Sequence, residues 1–425
     1  MREFMRSLRQ SEMAIGSSKL FSGSAVAQIL TLAAAVILAR LYTPADFGAL
    51  ATFVAVCGLL SPLVTARYEL GIMLPDRDVD ALRLAAVALW ITLAVASAAL
   101  LAVAVLRVTG SSVLSDLGVW AFLIPVTLLA TGANAVFSAY AMRTGMYGLV
   151  AKTNVARTMS GTSVQLGLGV LTTGPGGLIL GNLVGSAAAN VRMGRPVLRG
   201  IRSDRPSREQ LLQAAKRFSQ FPRHTLPANM VNSAAIQGVA LTIQALFGAA
   251  ALGQWYLAQK VVLLPLTLLG DAVRQTYYRR AVQLRQNREL SMRLFHRLIL
   301  LMGLGTLPVF VAIALIAPWL VPLIFGDNWD LAGSLVALST PWLWARLVAS
   351  PLSVTTLVYE RNAVGLWIQL WLLAVLASSG GAAWVLGWEV QTFVAVLSGL
   401  NALSYLGFLA IWQGMIKKGY SLPDP

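Results

Sequence analysis

The chain has 425 residues, 57% hydrophobic and only 12% charged, yet Lys and Arg outnumber Asp and Glu 33 to 17, a formal net charge of +16. The basic surplus does not indicate nucleic acid, because it is spread over separate gaps between long apolar runs and forms no contiguous face with interleaved aromatics. The single cysteine, Cys57, lies within an apolar run, so neither an intramolecular disulfide nor a Cys-based metal site can form.

Apolar runs of about 20 residues, the length that crosses a bilayer, are read in chain order over roughly 20–41, 47–68, 84–106, 118–142, 148–171 and 174–193. A second set follows over roughly 225–248, 252–272, 294–316, 331–357, 363–386 and 390–414. The first run is too long for a signal-peptide core and follows a long basic leader, so it is expected to stay as a first helix. The predicted fold class is an all-α integral membrane protein of about 12 transmembrane helices in two six-helix lobes. Residues 1–193 form the N-terminal lobe, 194–224 a cytoplasmic linker and 225–425 the C-terminal lobe. Equal helix count and equal orientation in the halves are the mark of a parallel repeat, a common transporter plan.

Charge orients these helices. All Lys and Arg except Arg40, Arg107, Lys260 and Arg346 fall in alternate gaps, on one side of the predicted membrane. Because basic residues in short loops are retained in the cytoplasm, both termini and the two long loops are expected there. In the first long loop, Ser207 to Gln210 reads as a capping box opening an amphipathic stretch from Leu211 to Phe221 that stops at Pro222. The second, Ala272 to Leu298, mixes arginines with Tyr277, Tyr278, Leu284, Leu290 and Phe295 and is expected to form an interfacial helix. The opposite loops, such as Gly248 to Ala251 and Phe325 to Asp330, are short.

Polar groups at membrane depth are costly and are therefore functional candidates. Lys260 lies about nine residues into the eighth run, near the midplane, and needs a water-filled cavity, a partner or an anionic ligand. Arg346 is similarly deep in the tenth run, flanked by Trp342 and Trp344. Arg67 and Glu69, at the inward end of the second run, either line a cytoplasm-facing mouth or cap the helix. Asn229, Asn232, Gln237 and Gln244 lie in the seventh run and Gln28 in the first; Asn229, Asn232 and Gln237 roughly share a face suited to sugar hydroxyls or to interhelical hydrogen bonds. Carboxylates are nearly absent from the apolar runs. A cavity for cationic drugs would need them, whereas deep charges of Lys260 and Arg346 favour anions.

Enzyme signals are weak. Asp76-Arg77-Asp78 has the D-x-D form that nucleotide-sugar transferases use to hold a divalent ion, but its loop is short. No phosphate-binding or dinucleotide fingerprint is present, and no cofactor is expected.

The stretches Ala39 to Gly48, Arg67 to Pro75, Phe218 to Pro222 with Pro227, Gly253 to Lys260 and Ser350 to Ser353 resemble Wzx-type polysaccharide and O-antigen flippases. These belong to the multidrug/oligosaccharidyl-lipid/polysaccharide exporter superfamily. The resemblance implies a V-shaped central cavity between the lobes. It also implies alternating-access transfer of an undecaprenyl-pyrophosphate-linked oligosaccharide from the cytoplasmic to the outer leaflet of the bacterial inner membrane. The expected partners are this anionic lipid-linked glycan, membrane lipids and other polysaccharide-assembly proteins. By the same analogy Gln28, Arg67, Asn232, Gln237 and Lys260 would line the cavity. Relatives often carry arginine where Lys260 stands, so charge is kept while bidentate phosphate geometry is lost. The rival readings are a multidrug antiporter of the same fold and, further off, a membrane glycan polymerase or ligase.

Overall fold

A computed structural model describes residues 30–109, 112–171 and 174–419. Gln28 and the leader lie outside these residues. The described chain is helical with no strand. Contacts divide it into two compact units, Met1–Ser233 and Ala234–Pro425, described separately below.

In the first unit α1 (Leu30–Leu41) is followed by α2 (Pro44–Val64), which opens on a capping box between Thr43 and Asp46. A 3-10 helix (Tyr68–Met73) leads to α3 (Asp78–Val108), whose 31 residues reach about 46 Å, more than a hydrocarbon core is thick. Then come a second 3-10 segment (Ser112–Phe122), α4 (Leu123–Arg143), α5 (Tyr147–Leu171), α6 (Gly176–Asp204) and the short α7 (Arg208–Arg217). A π-helical turn, Phe221–Thr225, precedes α8 (Leu226–Leu284), within which the boundary between the units falls. The second unit continues with α9 (Arg288–Phe325), α10 (Asp330–Ala349), a 3-10 turn (Ser350–Val354), the single-turn α11 (Thr355–Val358), α12 (Asn362–Leu386) and α13 (Val390–Lys418).

Among the described residues eight helical stretches are long and apolar enough to cross a membrane. Adding α1, α5 and α6, and counting the two arms of α8 separately, gives roughly the dozen spans predicted. The more polar pair, α5 and α6, bury their faces against each other instead of lipid. A Cβ on Gly181 would stand 2.6 Å from the Gly161 carbonyl, and one on Gly185 2.7 Å from the Arg157 carbonyl. Glycines four residues apart on α6 thus bring two backbones together, the close packing that substitutes for the hydrophobic effect inside a bilayer. Large apolar side chains elsewhere face outward, among them Leu101, Trp319, Trp367 and Trp384, as a lipid-facing surface requires.

Three predicted boundaries are corrected. The expected turn at Gly248 to Ala251 narrows to a break at Gly248, whose φ of 81° and ψ of 178° lie in a region open essentially to glycine alone and divide α8 into two helical arms. The expected interfacial helix at 272–298 does not form separately; α8 runs on to Leu284 and α9 begins at Arg288, capped by the Asn287 side chain on Leu290 N–H at 3.1 Å. Similarly α6 extends to Asp204, well beyond residue 193, because Arg192, Arg195, Arg199 and Arg202 recur at helical spacing and end the apolar run without ending the helix. The Ser207–Gln210 capping box is present, with Gln210 N–H donating to Ser207 Oγ at 3.2 Å and Ser207 N–H donating to Gln210 Oε1 at 2.9 Å.

Candidate functional site

Beyond α2 the backbone turns through two successive left-handed residues that are not glycine, Ala66 (φ 48°) and Arg67 (φ 64°). Each costs on the order of 1 kcal/mol, so the surroundings must hold them. They do so through the next turn. Tyr68 is buried and its hydroxyl donates to the Ala215 carbonyl of α7 at 3.1 Å. Burial raises its phenol above the ordinary range against the opposing Arg223 guanidinium, so the hydroxyl stays a neutral donor. Gly71 admits Phe221 and Leu84 so closely that a Cβ would lie 2.9 Å from each.

The strained turn presents Arg67 to a polar cluster. Its Nη1 donates to Glu69 Oε1 at 3.2 Å and its Nη2 to Asn229 Oδ1 at 2.6 Å, while its buried Nε has no partner. Glu69 is buried and also accepts from the Thr65 hydroxyl. Asn229 is oriented by its own Nδ2, which donates to the Thr225 carbonyl at 2.8 Å in the π-helical turn. The guanidinium side chain remains 24% exposed, so it is held in place while still open to a ligand. Because Glu69 balances its charge, this cluster offers hydrogen-bond donors instead of net positive potential.

Uncompensated charge lies in the second unit. Lys260 stands on the second arm of α8, 12 residues and about 18 Å beyond the Gly248 break. Its Nζ lies 5.8 Å from the centre of the Tyr256 ring, a cation–π contact, and among the described residues no carboxylate is within ion-pair distance. The adjacent Gln259 buries an amide nitrogen with no hydrogen-bond partner. Arg346, half-buried in the last turn of α10, likewise has no ion pair among the described residues.

The surrounding helices are locked by satisfied polar groups. Gln254 Nε2 donates to the Asn328 carbonyl at 2.6 Å and its Oε1 accepts from Ala332 N–H at 2.9 Å, which fastens α8 to the turn between α9 and α10. Pro341 interrupts α10, and the carbonyl of Ala337 that it leaves free accepts from Thr340 Oγ1 at 2.6 Å. Trp342 N–H turns instead to Ser398 Oγ at 3.2 Å, and the Trp342 and Trp255 rings stack at 6.2 Å. Gln254 and Trp255 therefore act in packing.

Of the predicted site residues, Arg67, Glu69 and Asn229 are brought together in the first unit. Asn232 lies three residues beyond Asn229 on the same helix face, half-buried. Gln237, Lys260 and Arg346 belong to the second unit, with Gln237 half-buried on the first arm of α8. The D-x-D segment has a structural role: Asp78 opens α3 and pairs with Arg143 at 3.0 Å, and the Asp76 carbonyl also faces Arg143. Among the described residues there is no group of three or more metal-ligating side chains. Sequence reading missed the Thr65 contact, whose signal is its position four residues before Glu69, and the orphaned Gln259 amide.

Several solved structures share this fold, and at these identities the likeness concerns the fold alone. An inward-facing multidrug-resistance MATE transporter of the MOP superfamily is 15% identical, with 94% of each chain covered and a TM-score of 0.56. A MOP-superfamily transporter from Pyrococcus furiosus, described as having a binding pocket of reversed polarity, is 14% identical over 96% of this chain and 94% of that one, with a TM-score of 0.55. A MATE transporter variant from Vibrio cholerae is 12% identical over 97% and 98%, with a TM-score of 0.56. No curated protein matches the chain. The model of the family described as polysaccharide biosynthesis protein matches residues 37–333, and this multi-pass membrane protein belongs to that family.

Proposed function

We propose that the chain is a flippase for an anionic lipid-linked oligosaccharide, of the undecaprenyl-pyrophosphate type, moving it from the cytoplasmic to the outer leaflet of a bacterial inner membrane. What supports this reading is that Lys260 and Arg346, both within helical stretches long and apolar enough to cross a membrane, have no carboxylate within ion-pair distance among the described residues. A charge buried without a counterion is expensive, and an anionic headgroup supplies the missing partner. Arg67, held in position by Glu69 and Asn229, adds directional donors, and Asn232, Gln237 and Gln28 add groups for sugar hydroxyls. Sugars and phosphate cannot cross hydrocarbon unaided, so a polar, cationic path carries the headgroup while the lipid tail stays in the bilayer. In this reading residues 1–193 and 225–425 are the two moving lobes, 194–224 is their cytoplasmic linker, and both termini face the cytoplasm. The role is transport, with no catalytic residue assigned.

Glu69 is the buried carboxylate that a multidrug antiporter would use for cations, but its oxygens are already engaged by Thr65 and Arg67. The test is reconstitution. Purified protein in vesicles should move a short lipid-linked oligosaccharide from the inner to the outer leaflet, read by its exposure to an added glycosidase. Transport of a cationic dye with no movement of the glycan would refute the proposal.

A further inference from the structure

Near the arginine-rich end of the first unit a crevice of about 470 Å³ is lined by Ala86, Trp90, Ile201, Arg202, Arg205, Pro206 and Leu211, where α3, the end of α6 and α7 meet. Its composition is graded along α3. Helices α3 and α6 touch where Gly200 would place a Cβ 2.7 Å from Leu82. Trp90 lies about 12 Å farther along α3, toward the middle of that apolar helix, and is 61% exposed. Arg202 and Arg205 lie at the opposite, charged end, beside the amphipathic α7, which contains no buried residue.

Two features show that the cationic end is built. Asp204, the acid between the two arginines, is committed elsewhere, accepting from Arg83 Nε at 3.0 Å and Nη2 at 3.3 Å. Among the described residues Arg202 and Arg205 make no ion pair. Arg205 is also held in the left-handed region (φ 44°, ψ 60°) between that ion pair and Pro206, a strain at a residue whose side chain lines the crevice. An exposed indole at the interface, two free guanidinium groups and an apolar floor match the division of a phospholipid into glycerol level, phosphate and acyl chain.

We propose that this crevice binds one anionic phospholipid, its phosphate between Arg202 and Arg205 and its upper acyl chain over Trp90 and Ala86. The site is separate from Arg67 and Lys260 and does not depend on what the protein transports. Each arginine near the surface adds enough attraction that anionic lipid should be preferred over zwitterionic lipid by about tenfold or more.

The probe is quenching of Trp90 by brominated phosphatidylglycerol or brominated phosphatidylcholine in mixed micelles, with the Trp90 signal taken as wild type minus Trp90→Phe. The expected result is half-quenching at about one tenth the fraction of phosphatidylglycerol, with the preference lost in Arg202→Gln/Arg205→Gln. A second variant, Arg202→Gln/Arg205→Gly, removes both charges while glycine accepts the left-handed backbone, which preserves the test if the first variant misfolds. Equal quenching by the two lipids, or a preference unchanged in the variant that folds, would overturn the proposal. Release of brominated phosphatidylglycerol by inorganic phosphate alone would also overturn it, because the site would then recognise a free anion and not a lipid.

Discussion

Replacing Arg67 separates three effects that its position combines: backbone strain, the ion pair to Glu69 and the donor offered to a ligand. Arg67→Ala removes a charge-assisted hydrogen bond of 2.6 Å and an ion pair of 3.2 Å, and leaves Glu69 buried without its counterion. Breaking a buried pair in this way costs about 3 to 5 kcal/mol. Because Arg67 is partly exposed, the loss should fall to about 2 to 3 kcal/mol, with alanine still strained at φ 64°. Arg67→Gly accepts the left-handed backbone and should recover about 1 kcal/mol of that loss. Adding Glu69→Gln removes the orphaned charge and should recover about 1 kcal/mol more. Detergent-solubilised membrane proteins often unfold irreversibly, so the readout is inactivation half-life at fixed temperature. The expected order is wild type, Arg67→Gly with Glu69→Gln, Arg67→Gly, then Arg67→Ala, with export lost in all three variants despite the recovered stability. If Arg67→Gly is no longer-lived than Arg67→Ala, or if Glu69→Gln fails to lengthen the half-life of Arg67→Gly, the strained ion-pair account is wrong. Full export by the stabilised double variant would remove Arg67 from the transport path.

Three further outcomes are expected. Lys260→Ala should reduce glycan export at near-normal protein abundance while Lys260→Arg largely preserves it; full export by the alanine variant at matched expression would exclude Lys260 from the path. Gly181→Leu should abolish monodisperse protein in detergent chromatography, because even a Cβ there would lie 2.6 Å from the Gly161 carbonyl; a normal profile would contradict the α5–α6 packing. In a background lacking Cys57, an impermeant thiol reagent applied to intact cells should label a cysteine at position 328 and spare one at 202, and the reverse pattern would invert the proposed orientation.

Hydropathy carried most of the architecture, since an apolar run of bilayer length has few alternatives to a helix. It read burial in lipid, however, and not backbone continuity. Thus it marked the arginine-bearing end of α6 as a loop, and read those of α8 and α9 as a separate interfacial helix, although helical hydrogen bonding continues the spans through them. It also expanded the one-residue break at Gly248 into a four-residue turn. Lys260 and Arg346 were singled out because a cation in an apolar run stands out in composition. The Arg67 turn was legible only as a polar interruption. Its left-handed backbone, the contact of Arg67 with Asn229 and the clamp made by Gln254 depend on residues far apart in the chain, which periodicity along one segment cannot relate.

The central claim concerns substrate class, and the most direct measurement is the leaflet distribution of lipid-linked oligosaccharide in cells with and without the protein, with ethidium efflux followed in the same cultures. The account predicts that loss of the protein leaves lipid-linked oligosaccharide accumulated on the cytoplasmic leaflet while efflux is unchanged. Unchanged lipid-linked oligosaccharide together with lost efflux would contradict it and assign the protein to cation export.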